Sequence, residues 1–200
     1  MTAGPANVLP AETAAWFLAQ EPAFHEKWMA MALAEARAAA EEGEVPMGCV
    51  VVRRTPDGAA RPVGRAHNSV EALKDPTAHA EMLAITQAAA ATGDWRLTDC
   101  ALYVTKEPCP MCGGAVVLGR LALAAWAASD PKRGAHTVFG MFSHPGLNHR
   151  PAVLPGCGPA AALEELRGFF RARRRRDAAG REALPGSAGT EDEAFGFGKA

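Results

Sequence analysis

The chain has 200 residues, of which 48% are apolar and 22% charged, with a formal net charge of -1. This is the composition of a soluble globular protein long enough for one domain with a full core. It excludes a strongly basic nucleic-acid-binding module, and no run approaches the ~18 to 20 apolar residues of a membrane span.

Residues 1–22 are rich in Ala, Pro and Thr and read as a flexible N-terminal arm, with Trp16-Phe17-Leu18 its only packing signal. Residues 24–42 read as a helix, because Trp28, Met31, Ala32 and Ala36 recur at helical spacing and Gly43 closes it. Cys49 to Val52 reads as a buried strand, Pro56-Asp57-Gly58 as a turn, and 61–68 as the returning hairpin strand. Asp75-Pro76-Thr77 signals the start of a helix over about 78–91. Ala101 to Thr105 reads as a strand, followed by a helix that opens in Pro108 to Cys112 and reaches about Leu118. Leu121 to Ala128 is a further strand. Residues 130–158 read as loop with one short strand, and Ala160 to Arg176 as a closing helix.

Residues 177–200 carry acids, Gly and Ser without periodicity and read as a disordered acidic tail. The stretch Glu164–Arg176 holds six arginines and two glutamates, which suits either an anion-binding helix or a solvated face. Strands alternating with helices after a hairpin indicate one α/β domain with a mixed sheet, over 23–176.

Five cysteines with one C-x-x-C do not suit a disulfide framework. No signal peptide is visible, so a reducing cytoplasm is the natural compartment. Cys49 and Cys100 lie in apolar strands and read as small core residues.

Two short motifs carry the chemistry: His79-Ala80-Glu81 and Pro108-Cys109-Pro110-Met111-Cys112. They supply an imidazole, two thiols and one carboxylate. Three protein ligands with a position left for water mark a catalytic zinc, whereas a structural zinc closes its shell with four. His79, Cys109 and Cys112 are the candidate ligands of one Zn2+ per chain. Glu81 is the candidate acid–base group that takes the water proton and returns it to the substrate. His79 and Glu81 would diverge in mid-helix, but at a first turn both can lean toward a metal off the helix end. Pro110 suits a first helical position. Taken singly, each residue has a plainer reading: a redox pair, half a zinc knuckle, a first-turn acid. A fourth ligand making the site structural would come from Cys157, His136, His144 or His149.

The combined H-x-E…P-C-x-x-C pattern resembles the signature of zinc-dependent nucleobase deaminases. From about Trp28 to Arg174 the chain resembles the bacterial tRNA-specific adenosine deaminases. The matching segments include Glu44 to Gly48, His67-Asn68, Asp75 to Glu81, Leu102 to Thr105, Glu107 to Cys112, Asp130-Pro131-Lys132, Pro145 to His149 and Phe169-Phe170-Arg171. The resemblance implies a cytidine deaminase-like three-layer sandwich, a five-stranded mixed sheet flanked by helices. It implies hydrolysis of the wobble adenosine of a tRNA anticodon loop to inosine, by a homodimer. It also implies substrate-binding roles for Asn68, Ala80, Pro108, Asn148, Phe169, Phe170 and Arg171, with the arginines that follow beside the anticodon loop.

The sequence departs from the family at Lys106, where leucine is common, at Cys49, at 133–143, where a small-residue run is usual, and at 155–160. The competing enzyme reading is a deaminase of a free base or nucleoside of guanine, cytosine or cytidine type. A zinc-stabilised binding subunit without activity would have no use for Glu81.

Overall fold

The computed structural model describes residues 10–158 and, beyond them, 164, 168, 171, 172 and 175. Five strands form one sheet: β1 (Gly48–Arg54), β2 (Ala60–His67), β3 (Cys100–Lys106), β4 (Leu123–Ala128) and β5 (Ala152–Pro155), in the order β2-β1-β3-β4-β5. β1 runs antiparallel to β2 and β3, whereas β3, β4 and β5 are mutually parallel. Five α-helices accompany them among the described residues: α1 (Pro10–Leu18), α2 (Pro22–Glu41), α3 (Val70–Leu73), α4 (Ala80–Thr92) and α5 (Pro110–Leu118). This is the expected mixed sheet flanked by helices, with each expected strand within two residues of its place.

Side chains alternate across the sheet and bury both of its faces. Val50, Val52, Ala101, Tyr103, Leu123 and Ala125 pack with Phe17 of α1 and Trp28, Met29, Ala32 and Leu33 of α2. Cys49, Val51, Leu102, Val104, Ala124 and Trp126 pack with Ala80, Ala84 and Ala88 of α4 and with Val116 and Val117 of α5. A strand covered on both faces reads as an unbroken apolar run, which is why β1 and β3 stand out in the sequence. Cys49 and Cys100 are fully buried, as expected.

The N-terminal segment differs from its reading as a flexible arm. Residues 10–18 form α1, whose Phe17 is fully buried and meets Trp16 edge to face and Phe24 at a tilt. Aromatic burial fixes a helix that its Ala- and Pro-rich composition conceals. The chain divides into two compact units, 1–166 and 167–200, so the first unit includes α1 and ends before 176. Of the second unit, Gly168, Arg171, Ala172 and Arg175 are helical. The expected acidic tail over 177–200 lies outside the described residues.

Helices approach the sheet at two glycines. A Cβ on Gly48 would lie 2.0 Å from the Ala32 carbonyl oxygen, and one on Gly64 2.2 Å from that of Ala84. Gly48→Ala must push α2 off β1, so we expect it to lower stability by about 3 kcal/mol, the upper range for overpacking. A denaturant titration giving less than about 1 kcal/mol would show that α2 yields freely.

A charged cluster ties α2 to the end of β2. Glu35 accepts hydrogen bonds from Arg65 Nε at 2.7 Å and His67 Nδ1 at 3.1 Å, while His67 Nε2 lies 3.1 Å from Glu42. Partial burial disfavours the charged imidazole, but the two carboxylates outweigh it and raise the His67 pKa. A pKa raised by folding stabilises most at low pH and loses that contribution as pH rises through the folded value. The gap in thermal midpoint between wild type and His67→Gln should therefore shrink from about pH 6 to about pH 8.5. A gap constant across that range would mean that His67 stays neutral in both states.

Candidate metal centre

Both chemical motifs lie at helix starts on the same side of the sheet. Asp75 Oδ1 accepts the Thr77 backbone N–H at 2.7 Å, and this tight turn feeds the chain into α4. His79 is the N-cap of α4, with extended backbone at φ -74 and ψ 151. Its ring therefore leaves the chain before helical geometry begins, so it need not diverge from Glu81 in the first turn. Cys109 caps α5 in the same way at φ -71 and ψ 171, Pro110 opens that helix, and Cys112 follows one turn on.

The three donor atoms form a nearly equilateral triangle. His79 Nδ1 lies 3.6 Å from Cys109 Sγ and 3.5 Å from Cys112 Sγ, and the two sulfurs are 3.6 Å apart. Tetrahedral zinc with bonds of about 2.3 Å to sulfur and about 2.0 to 2.1 Å to nitrogen has N–S edges of about 3.5 to 3.6 Å and an S–S edge of about 3.8 Å. The triangle fits zinc without rearrangement. No other His, Cys, Asp or Glu among the described residues joins the group.

The sequence's alternative fourth ligands do not join this group. Cys157 is buried on the opposite face of the sheet, among residues of α2. His149 Nε2 bonds the Leu121 carbonyl, His144 Nδ1 accepts the Gly146 N–H, and His136 stacks on Phe142.

The cluster favours a thiolate at Cys109. Hydrogen bonding with the Cys112 thiol and with His79 lowers the Cys109 pKa to about 4 despite partial burial. Proximity to that thiolate, burial and the Glu81 carboxylate raise Cys112, while Cys109 and Glu81 raise His79. Glu81 is 2% exposed and shares a hydrogen bond with Cys112. Burial lifts its pKa above that of an ordinary glutamate, only partly offset by its own backbone N–H and by His79. A carboxyl group so placed holds a proton more readily than an ordinary glutamate, which suits an acid–base role.

The implied substrate residues are distributed unevenly. Asn68 is 5% exposed and donates through Nδ2 to Glu44 at 3.1 Å, and the next residue, Ser69, donates its N–H to the Ala78 carbonyl beside His79. Ala80 is fully buried next to His79, and the Pro108 carbonyl accepts the Ala135 N–H at 2.8 Å. Asn148 is not brought to the cluster. Its Oδ1 accepts from Arg120 at 2.9 Å, just past the C-terminal end of α5. Cys109 caps the other end of that nine-residue helix, about 13 Å away. Phe169 and Phe170 lie outside the described residues, and Arg171 belongs to the second unit.

Sequence reading gave no role to two buried acids. Glu44 is 1% exposed and holds Asn68 together with the Ala72 N–H, which it accepts at 2.8 Å. Glu107 is 3% exposed and accepts N–H groups from Asp130, His136 and Thr137. Acidic residues beside apolar strands and next to ligand motifs were the available signal.

This fold, with a His-Cys-Cys cluster and a buried acid at two helix starts, defines a zinc-dependent deaminase. The cytidine and deoxycytidylate deaminase zinc-binding region matches residues 22–125. A tRNA-specific adenosine deaminase of Bacillus subtilis is 41% identical over 160 residues, covering 80% of this chain and 96% of that protein. One from Aquifex aeolicus is 47% identical over 126 residues, covering 62% and 80%. A solved structure from work on A-to-I editing by tRNA:A34 deaminases at the wobble position matches with TM-score 0.63 and 40% identity, over 71% of this chain and 97% of that one. A guanine deaminase from Nitrosomonas europaea shares the fold, with TM-score 0.60 and 24% identity over 72% and 83%. The chain belongs to the tRNA-specific adenosine deaminase family.

Proposed function

We propose that this protein hydrolyses adenosine to inosine at the wobble position of a tRNA anticodon loop. The observation that carries the chemistry is the buried Glu81 carboxyl beside a three-ligand cluster that needs no fourth protein ligand. The substrate reading is supported by likeness to proteins named for that reaction along most of their length.

His79, Cys109 and Cys112 would hold the zinc. Zinc bound there supplies Lewis acidity, which lowers the pKa of water toward ~7. Glu81 accepts a proton from the water that attacks C6 of adenine. It delivers that proton to N1, then takes the second proton from the new C6 hydroxyl as the carbonyl forms and passes it to the departing amine, so water and adenosine become inosine and ammonia. One carboxyl suffices because the transfers are sequential. Asn68, held by Glu44, presents its remaining amide capacity to the base or ribose. Ala80 and Pro108 form the pocket floor. Phe169, Phe170, Arg171 and the arginines beyond are suited to stacking on unstacked bases and pairing with phosphates.

Treatment of an unmodified tRNA bearing adenosine at the wobble position tests this reading. Sequencing should show adenosine converted there and nowhere else. Conversion of free guanine or cytidine with the tRNA untouched would overturn the substrate assignment.

The protein acts as a homodimer. Leu118 is 73% exposed at the end of α5 and Trp95 is 55% exposed, near Gly119. On α5, Val116 and Val117 face their own core, so Ala115 and Leu118 remain for a partner. Sedimentation at micromolar concentration should give a dimer, shifted toward monomer by Leu118→Lys. A wild-type monomer would refute the assignment.

A further inference from the structure

The residues just before the metal motif build the rim of the site. Lys106, the last residue of β3, pairs through Nζ with Asp130 Oδ2. Asp130 is 7% exposed. Its Oδ1 accepts the backbone N–H of Lys132 at 2.9 Å and of Arg133 at 3.2 Å, and its own N–H donates to Glu107 at 2.9 Å. Glu107 carries the loop onward through the N–H groups of His136 and Thr137 and the Thr137 hydroxyl. The fit is tight, because a Cβ on Gly134 would lie 2.4 Å from the Glu107 carboxylate.

This loop borders the metal cluster. The Ala135 N–H bonds the carbonyl of Pro108, and the Ala135 methyl packs where a Cβ on Gly113 would lie, 2.6 Å away. It thus touches the residues before Cys109 and after Cys112. Lys132 and Arg133 are exposed on it, and the Arg133 charge is felt at His79. Asp130 is charged: burial opposes ionisation, but Lys106 and the two backbone N–H groups outweigh it.

A carboxylate in this position is awkward beside a polyanion. Asp130 organises the two exposed cations but would offset one of them electrostatically. Lys106 removes that conflict while leaving Oδ1 free to hold the loop.

We propose that Lys106 is a positioning residue for the RNA substrate: its ion pair with Asp130 neutralises the rim, so that Lys132 and Arg133 attract the strand entering the site. This rests on the RNA reading above.

The test is a charge cycle. Lys106→Leu should raise KM for an anticodon stem-loop by about five- to tenfold, with kcat within about twofold of wild type. The defect should narrow at high salt. Asp130→Asn keeps an oxygen for the Lys132 and Arg133 N–H groups, so Lys106→Leu/Asp130→Asn should restore KM to within about twofold. Stem-loop affinity by fluorescence anisotropy, in a Glu81→Gln background, should follow the same order. Thermal unfolding of each variant establishes that it is folded.

A Lys106→Leu KM equal to wild type overturns the proposal. So does a double variant no better than Lys106→Leu, which would make the lysine a strut for the loop. Wild-type protein that neither binds nor deaminates the stem-loop would overturn the RNA reading itself, and this proposal with it.

Discussion

Glu81→Ala is expected to keep its zinc and its fold and to lose about 10,000-fold in single-turnover deamination, the upper end for one acid–base group. The large effect follows from the double use of one carboxyl: no other acid joins the cluster among the described residues. Zinc should remain because the triangle of donors does not include Glu81. The rate should be measured with zinc content on the same preparation. Activity within tenfold of wild type, at full zinc, would remove Glu81 from the mechanism.

Loss of a ligand should be equally severe by another route. Cys112→Ala leaves two donors, so zinc affinity should fall by more than about 100-fold, beyond what loss of a supporting contact costs. Cys112 is fully buried between α5 and the core, so the ligand set also ties the starts of α4 and α5 together. Since zinc bound to the folded state stabilises it, the variant should melt lower than wild type, and a chelator should lower the wild-type midpoint toward the variant's. Cys112→Ala that purifies with one zinc per chain and an unchanged midpoint would show that the metal is held elsewhere.

The four residues behind these predictions were legible in the sequence because each sits within a short motif at a helix start. Local spacing fixes their geometry once the cap residues are recognised. The strands were legible for a different reason: helices cover both faces of β1 and β3, so Cys49 to Val52 and Ala101 to Thr105 are continuously apolar.

What was not legible depends on contacts distant in the chain. Phe17 makes α1 a packed helix only because α2 and the sheet receive it. Gly48 and Gly64 are small because helix backbones approach them, which nothing in their neighbours announces. Glu44 acts through Asn68 and Glu107 through residues 130–137, more than 20 positions away. Asn148 was assigned by resemblance, and its hydrogen bond from Arg120 joins positions 28 residues apart.

The most direct test compares substrates under one set of conditions. Purified zinc-loaded protein is given an anticodon stem-loop with adenosine at the wobble position and, in parallel, free adenosine, guanine and cytidine. Inosine in the stem-loop should form with a kcat/KM at least about 1,000-fold above that for any free base or nucleoside, because binding energy from the remote RNA is realised at the reacting base. Faster turnover of guanine or cytidine than of the stem-loop would contradict the account.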